Sequence, residues 1–382
     1  MKRYIQSYIQ QDLSNKIILL TGPLQCGKTT LAKQLRDSFD YFNYDSVESR
    51  FALKEKNWDR QKQLIIFDEL HKMNGWKRWL KGIYDVEGIP PEIVVTGSAR
   101  LDLRKKLGDS LAGRYFQFRL HPLDLKEAMQ FYAHDTEKLF EQLWQCGGFP
   151  EPFLKNNITY YKRWRRSHLD IILRQDLIDL YTGRDIQVIE SLVLLLKNRV
   201  GATVSYANLA RDLERDPNTI KRWLQLLENL YVIFRVTPYH QNIARSLLKE
   251  PKYYFYDHAH VENSDGARLE NLVACALLKE LQFLEDIQGV SATLHYLRNK
   301  DGREIDFLIS IEHQPTLLLE IKWSDANPAS SFNYFNQFLP KTKKIQLVKE
   351  LHREKTYPNG LEVRSLIAWL AKLDLISSLP AP

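Results

Sequence analysis

An α/β fold in three parts is predicted from three observations: short apolar runs that alternate with amphipathic segments over the first third, a mostly helical middle, and a return to strand-like runs around one long helix. In the first third, "KIILLTG" (16–22), "FDYFNYD" (39–45), "LIIFDEL" (64–70), "EIVVTGS" (92–98) and "YFQFRL" (115–120) are short and rich in branched and aromatic residues, which suits strands. The amphipathic stretches between them supply the crossovers that parallel strands need, so a parallel sheet covered by helices is expected.

The middle reads as helices: "LDLKEAMQFYA", "TEKLFEQLWQ" and "YYKRWRRSHLDIILRQDLIDLY", with the breaker "GGFPEP" (147–152) between the last two. In "YANLARDLERDPNTIKRWLQLLENLYVIFRV" two short helices flank a turn and a strand follows, the outline of a winged helix-turn-helix. Asp216 is the expected cap and Pro217 the first helical residue of its second helix. Ile220, Trp223, Leu224 and Leu227 recur at helical spacing and face a core, leaving Asn218, Thr219, Lys221, Arg222 and Gln225 outward. The last third begins with the strand "YYFYDH" and the helix "ARLENLVACALLKELQFLE". Strands "ATLHYLR", "REIDFLISI" and "TLLLEIKW" follow, then a helix over "SFNYFNQFL", a strand over "KIQLVKE" and a closing helix over "LEVRSLIAWLAKLD". The expected boundaries are 1–135, 136–245 and 246–382.

With 382 residues, 44% of them hydrophobic, the chain can bury the cores of two or three domains. A formal net charge of +7 favours an anionic partner, nucleic acid ahead of a membrane surface. Three scattered cysteines have neither disulfide nor zinc spacing, and no apolar run reaches the length of a membrane span, so a cytoplasmic protein is expected.

"GPLQCGKT" (22–29) fits G-x-x-x-x-G-K-[ST] between a strand and a helix. In such a loop the backbone amides of Gly22, Pro23, Leu24, Gln25, Cys26, Gly27 and the residues up to Thr30 wrap phosphate as far as each has an N–H. Lys28 reaches the β and γ phosphates, and the Thr29 hydroxyl ligates Mg²⁺. One crossover later "LIIFDEL" ends in Asp68, a carboxylate for the magnesium shell, and Glu69, which can activate the attacking water. ATP and Mg²⁺ are therefore the expected cofactors. In "TGSAR" a polar side chain stands at the end of the fourth strand.

Taken in order, "GPLQCGKTTL", "LIIFDELHKM", "VVTGSARLDL", "LAGRYFQFRLHPL" and "GGFPEPFL" resemble a widespread bacterial and archaeal family of AAA-type P-loop ATPases. The resemblance covers essentially the whole chain and implies three parts: an AAA-type ATPase core, a helical and winged-helix middle, and a C-terminal domain of unknown function similar to PD-(D/E)xK nucleases, hence restriction-endonuclease-like α/β. It implies a γ-phosphate sensor at the fourth strand end, Ser98 by position with Thr96 close behind, and an arginine finger, Arg100 or Arg114, that completes a neighbour's site in a homo-oligomer. The loop departs from the family's usual residues at Pro23, Leu24 and Cys26, where backbone does the cradling.

In the nuclease-like pattern an acid lies on one strand and an acid and a lysine, one residue apart, on its neighbour. "GREIDFLIS" supplies Asp306 and "LLLEIKW" supplies Glu320 and Lys322. Because a strand repeats every two residues, Glu320 and Lys322 share a face. Glu270 stands where relatives often add a metal ligand, so Glu270, Asp306 and Glu320 are the expected ligands of a second Mg²⁺, with Lys322 positioning water or phosphate. Two functional classes remain open. One is an ATPase acting on nucleic acid, DNA first, with or without cleavage. The other is a nucleotide-dependent switch or scaffold whose C-terminal domain is an inert docking module.

Overall fold

The computed structural model describes residues 2–97, 111–132, 135–177, 183–240, 249–262 and 264–375. Two compact units emerge: residues 1–122 with 229–231, and residues 123–228 with 232–382. No described helix is long and apolar enough to cross a membrane.

The first unit runs α1 (Gln6–Asp12), β1 (Ile17–Thr21), α2 (Lys28–Lys33), β2 (Phe39–Asn43), α3 (Val47–Glu55), β3 (Leu64–Asp68), a 3-10 turn (Leu70–Lys72), α4 (Trp76–Glu87), β4 (Glu92–Thr96) and β5 (Tyr115–Arg119). The five strands lie in the order β2-β3-β4-β1-β5 and every pairing is parallel, as the alternation predicts. Burial on both faces explains why β1 and β3 read as unbroken apolar runs: all ten residues are buried. Ile17, Leu19, Ile65, Phe67, Ile93 and Val95 share one core cluster with Leu80 and Ile83 of α4 and with Leu53 of α3. The register sets Asp68 beside Asn43 on one side and Thr96 on the other, so three polar side chains meet where the apolar strands stop.

The second unit starts with α5 (Leu125–Phe131), α6 (Thr136–Cys146), α7 (Pro150–Lys155), α8 (Ile158–Leu177), α9 (Gly183–Lys197), α10 (Tyr206–Asp212) and α11 (Pro217–Asn229). It continues through β6 (Ile233–Pro238), β7 (Lys252–Phe255), α12 (Asp265–Gln288), β8 (Ala292–Arg298), β9 (Glu304–Ile311), β10 (Gln314–Lys322), α13 (Ser330–Asn336), β11 (Lys343–Val348), β12 (Lys355–Thr356), β13 (Leu361–Ser365) and α14 (Leu366–Ala371). Eight strands form one mixed sheet, β12-β13-β11-β10-β9-β8-β6-β7. Ion pairs tie α5 and its cap to α12: buried Lys279 Nζ lies 2.6 Å from Glu127 and 3.2 Å from the cap Asp124, and half-buried Lys126 Nζ lies 3.0 Å from Glu280.

The closing helix expected over 361–374 is corrected. Its first half is β13, because Leu361 and Val363 alternate with Glu362 and Arg364 and pair in parallel with β11. The helix begins only after Ser365, whose side chain accepts from the Ala368 amide. The turn between α10 and α11 matches expectation: Asp216 Oδ1 accepts from the Asn218 amide at 2.8 Å, and Ile220, Trp223, Leu224 and Leu227 are buried. In α8, Tyr161, Trp164 and His168 turn inward and Lys162, Arg163 and Arg166 outward, so that aromatic and basic mixture is a solvated helix face over a core.

The breaker "GGFPEP" has a definite task. Gly147 ends α6 with φ of 70°, its N–H bonded to the Leu143 carbonyl at 2.9 Å. A Cβ built there would stand 2.4 Å from Oδ1 of Asp257, a buried carboxylate that also accepts from the Tyr161 hydroxyl at 2.9 Å. Gly147→Ala is expected to destabilise the protein by about 2–4 kcal/mol, combining left-handed strain with that clash. Equilibrium denaturation checks it, and an unchanged midpoint would show that the turn tolerates a side chain.

Candidate functional site

The loop after β1 is shaped by backbone. Gly22 has φ of 145°, and a Cβ at that position would lie 2.1 Å from the Leu120 carbonyl oxygen, so only glycine fits. Gln25 and Gly27 both take positive φ, 61° and 99°, which curls the amides of this segment into a concave nest ahead of α2. Lys28 is buried at the first turn of that helix, and its ammonium donates to the carbonyls of Gly22 at 3.0 Å and Pro23 at 2.7 Å. The loop thus holds its own lysine over the nest. From behind, Arg3 donates to the Cys26 carbonyl at 3.1 Å and to the His121 carbonyl at 2.5 Å.

Asp68 is the hub of the site. Its Oδ2 accepts from the Thr29 hydroxyl at 2.9 Å and from the Tyr41 hydroxyl at 2.7 Å, and its Oδ1 from the Thr96 hydroxyl. Loop, β2, β3 and β4 are joined through one buried carboxylate. Burial and the hydrogen bond to Asp68 hold the Tyr41 phenol well above its ordinary pKa, so it stays a donor. Glu69 follows in the left-handed region with φ of 55°, its amide bonded to the Thr96 carbonyl at 3.0 Å. Its carboxylate lies 3.4 Å from Lys72 Nζ and 3.7 Å from His71 Nε2. Burial raises the Glu69 pKa above the usual range, against the pull of Lys72.

Thus Lys28, Thr29, Asp68, Glu69 and Thr96 are brought together at the C-terminal ends of the inner strands β1, β3 and β4. The residues fit a nucleotide with magnesium: a nest with a lysine beside it, and a hydroxyl already hydrogen-bonded to a carboxylate. Ser98 and Arg100 lie outside the described residues. Arg114 precedes β5 next to the start of β1, where its carbonyl accepts from the Ile17 amide at 3.0 Å, whereas the loop follows the other end of that strand. It makes a two-pronged pair with Asp85 at 2.6 and 3.1 Å. It is therefore at the wrong end of the sheet to serve its own subunit's loop.

The sequence reading did not single out Tyr41 or Arg3. Tyr41 follows from strand register: two residues before the end of β2, it shares a face with Asn43, which pairs with Asp68. Arg3 carries no motif and could not have been found.

In the second unit, Asp306 on β9 and Glu320 on β10 stand on adjacent antiparallel strands. The Ile321 amide donates to Asp306 Oδ2 at 2.8 Å, the Asp306 amide to Glu320 Oε2 at 3.4 Å, and Lys322 Nζ to Glu320 Oε1 at 2.7 Å. Burial first, then the nearby Glu270 and Glu320 carboxylates, raises the Asp306 pKa well above the ordinary value. Glu270 faces inward from α12, where Oε1 accepts from Lys252 Nζ at 3.1 Å and from the Tyr254 hydroxyl at 2.5 Å. Among the described residues, no group of three or more His, Cys, Asp and Glu side chains is arranged to hold a metal ion. The expected ligands are neighbours, but internal donors already engage them.

Residues 14–129 match the family described as AAA domain, residues 137–266 a domain of unknown function (DUF8612) and residues 265–366 another (DUF4143). Among curated relatives, an uncharacterized protein of Haemophilus influenzae is 26% identical over 97% of this chain and 98% of its own length. An uncharacterized protein of Mycobacterium tuberculosis is 26% identical over 78% of this chain and 68% of its own. Solved structures matched at low similarity include RuvB of Thermotoga maritima, 15% identical over 60% of this chain and 86% of that one with a TM-score of 0.30. The STAND ATPase with a tetratricopeptide repeat sensor from Pyrococcus horikoshii is 14% identical over 74% of this chain and 47% of that one, with a TM-score of 0.24. The matched region and the loop between β1 and α2 make the first unit a P-loop domain of the AAA type.

Proposed function

We propose that the protein is a Mg²⁺-dependent ATPase whose nucleotide cycle governs its grip on nucleic acid. The observation that carries the first half is the Asp68 hub, which links the loop threonine to the ends of β2 and β4. Thr29 and Asp68 are the residues that would hold magnesium. When bound, the ion would neutralise charge on the phosphates. Lys28 exchanges the carbonyls of Gly22 and Pro23 for phosphate oxygens. Glu69 accepts the proton of the attacking water as the bond to the leaving diphosphate breaks, giving ADP and inorganic phosphate. Thr96, and Ser98 beyond it, report the state of the γ-phosphate to Asp68. Arg114 can act only on a neighbouring copy in a homo-oligomer, and would first release Asp85.

Nucleic-acid binding draws support from two places in the second unit. Asn218, Lys221 and Arg222 are exposed on α11, the helix that a winged helix-turn-helix would present to DNA, with β6 and β7 pairing antiparallel after it. A cleft of about 810 Å³ is lined by Lys249, Arg298 and Lys300 against the acids Glu250 and Asp301, with Tyr296 and Tyr334 beside them, an excess of one cation next to aromatic rings that can stack on bases. Binding of labelled duplex and single strands is therefore expected to weaken at least tenfold between 50 and 200 mM salt. Replacing Lys221 and Arg222 by alanine is expected to reduce the salt slope by about 2. Fluorescence anisotropy reads both. Affinity indifferent to salt, with turnover unchanged by nucleic acid, would favour the second reading: a nucleotide switch with an inert C-terminal module. The internal engagement of Glu270, Asp306 and Glu320 favours that inertness as regards cleavage.

A further inference from the structure

Lys252 has no exposed surface at all, although it is a lysine on a strand at the sheet's edge. An ammonium withdrawn completely from water survives only with carboxylates around it. Its Nζ lies 3.1 Å from Glu270 Oε1 and 2.5 Å from Glu304 Oε1. The Asp306 carboxylate also favours the charged ammonium through space. The three carboxylates come from different places in the chain: Glu270 from α12, Glu304 and Asp306 from alternate positions of β9. The Glu320 carboxylate of β10 adjoins Asp306.

The surroundings are built to keep the ammonium there. Tyr254, two residues on and hence on the same face of β7, bonds Glu270 at 2.5 Å, and its ring meets Phe307 of β9 at 5.7 Å. The Tyr296 ring lies 5.4 Å from Nζ, and Arg298 reaches Glu304 Oε2 at 3.6 Å. The inventory is four carboxylates, Glu270, Glu304, Asp306 and Glu320, against three cations, Lys252, Arg298 and Lys322. Each carboxylate already has a donor of this chain on at least one oxygen.

We propose that Lys252 is the resident cation of this cluster, so that the nuclease-like site is compensated chiefly by the protein's own cations, with Lys252 at its centre, and neither binds nor needs a divalent metal. A fixed ammonium can balance the carboxylates, but it offers no open coordination position and cannot lower the pKa of a bound water as a metal does. The domain then does not cut a nucleic-acid strand by metal-assisted hydrolysis. The inference rests on the nuclease-like reading of β9 and β10, and is independent of ATP hydrolysis by the first unit.

Manganese is the probe, with protein free of nucleotide. In a calorimetric titration of the full chain, wild type is expected to show no stoichiometric uptake of Mn²⁺ below millimolar concentration. Lys252→Ala, which leaves the acids uncompensated, is expected to melt about 10 °C lower and to regain most of that loss in millimolar Mn²⁺, while wild-type melting does not move. Stoichiometric Mn²⁺ uptake by wild type that disappears in Asp306→Asn would overturn the proposal. So would a Lys252→Ala protein with unchanged melting and no metal response. The wild-type titration decides even if the variant fails to fold. Since no nucleic acid is present, failure here is distinguishable from failure of the nucleic-acid reading.

Discussion

Lys28→Ala is expected to reduce ATP turnover by a factor of about 10³ or more while leaving the fold in place. Both halves follow from where the side chain sits. Its ammonium is buried at the mouth of the nest and bonded to the carbonyls of Gly22 and Pro23, so it contributes little that the sheet needs. Those carbonyls belong to a loop that opens to the ligand, and water can replace the lost donor. Transfer of the γ-phosphoryl group, by contrast, spreads negative charge over oxygens that an alanine side chain cannot stabilise, and one preorganised donor in such a position is commonly worth about 3–4 kcal/mol. Phosphate release assays read the first effect and thermal melting the second. Analogue binding should weaken in parallel, because the charge is also missing from the ground state. Turnover persisting at the wild-type rate would remove the loop from the reaction.

The parts of the fold that were legible in the sequence share a property: a local pattern has one physical meaning. Five apolar runs with crossovers between them admit little other than a parallel sheet, and G-x-x-x-x-G-K-[ST] between strand and helix fixes the backbone curl through Gly22. Legibility failed where two periods overlap. In "LEVRSLIAWLAKLD" a strand of period two runs into a helix of period 3.6, and only pairing with β11 shows that residues 361–365 take the first. It failed again for contacts made by side chains without a motif. Tyr41 reaches Asp68 by register, and Lys252 reaches Glu270 and Glu304 only after β7, α12 and β9 have assembled. Asp306, Glu320 and Lys322 were visible as a pattern, and Lys322 pairs with Glu320 at 2.7 Å, but the cation facing Asp306 was not, because Lys252 lies more than fifty positions earlier in the chain.

The second large effect is expected at Glu69, where the isosteric change Glu69→Gln should trap the nucleotide: binding within a factor of about three of wild type, hydrolysis slower by about 10²–10³. Asp68, which anchors Thr29, Tyr41 and Thr96, is untouched by this substitution, so the nest and the Thr29 hydroxyl keep their geometry. What is lost is a proton acceptor. Burial raises the Glu69 pKa, although Lys72 at 3.4 Å and the more distant charge of Lys28 hold it down. A raised pKa makes the carboxylate a stronger base and also makes it fill with a proton at a higher pH than an ordinary glutamate, so wild-type turnover should fall on the acid side earlier than solvent-exposed glutamates would dictate. In Glu69→Gln that acid limb should vanish along with the rate, since no group at this position is left to titrate. Single-turnover hydrolysis across the pH range, set beside analogue affinity, separates the two quantities. A glutamine variant that keeps both the rate and the acid limb would assign the proton to another acceptor and leave Glu69 with only its contacts to Lys72 and His71.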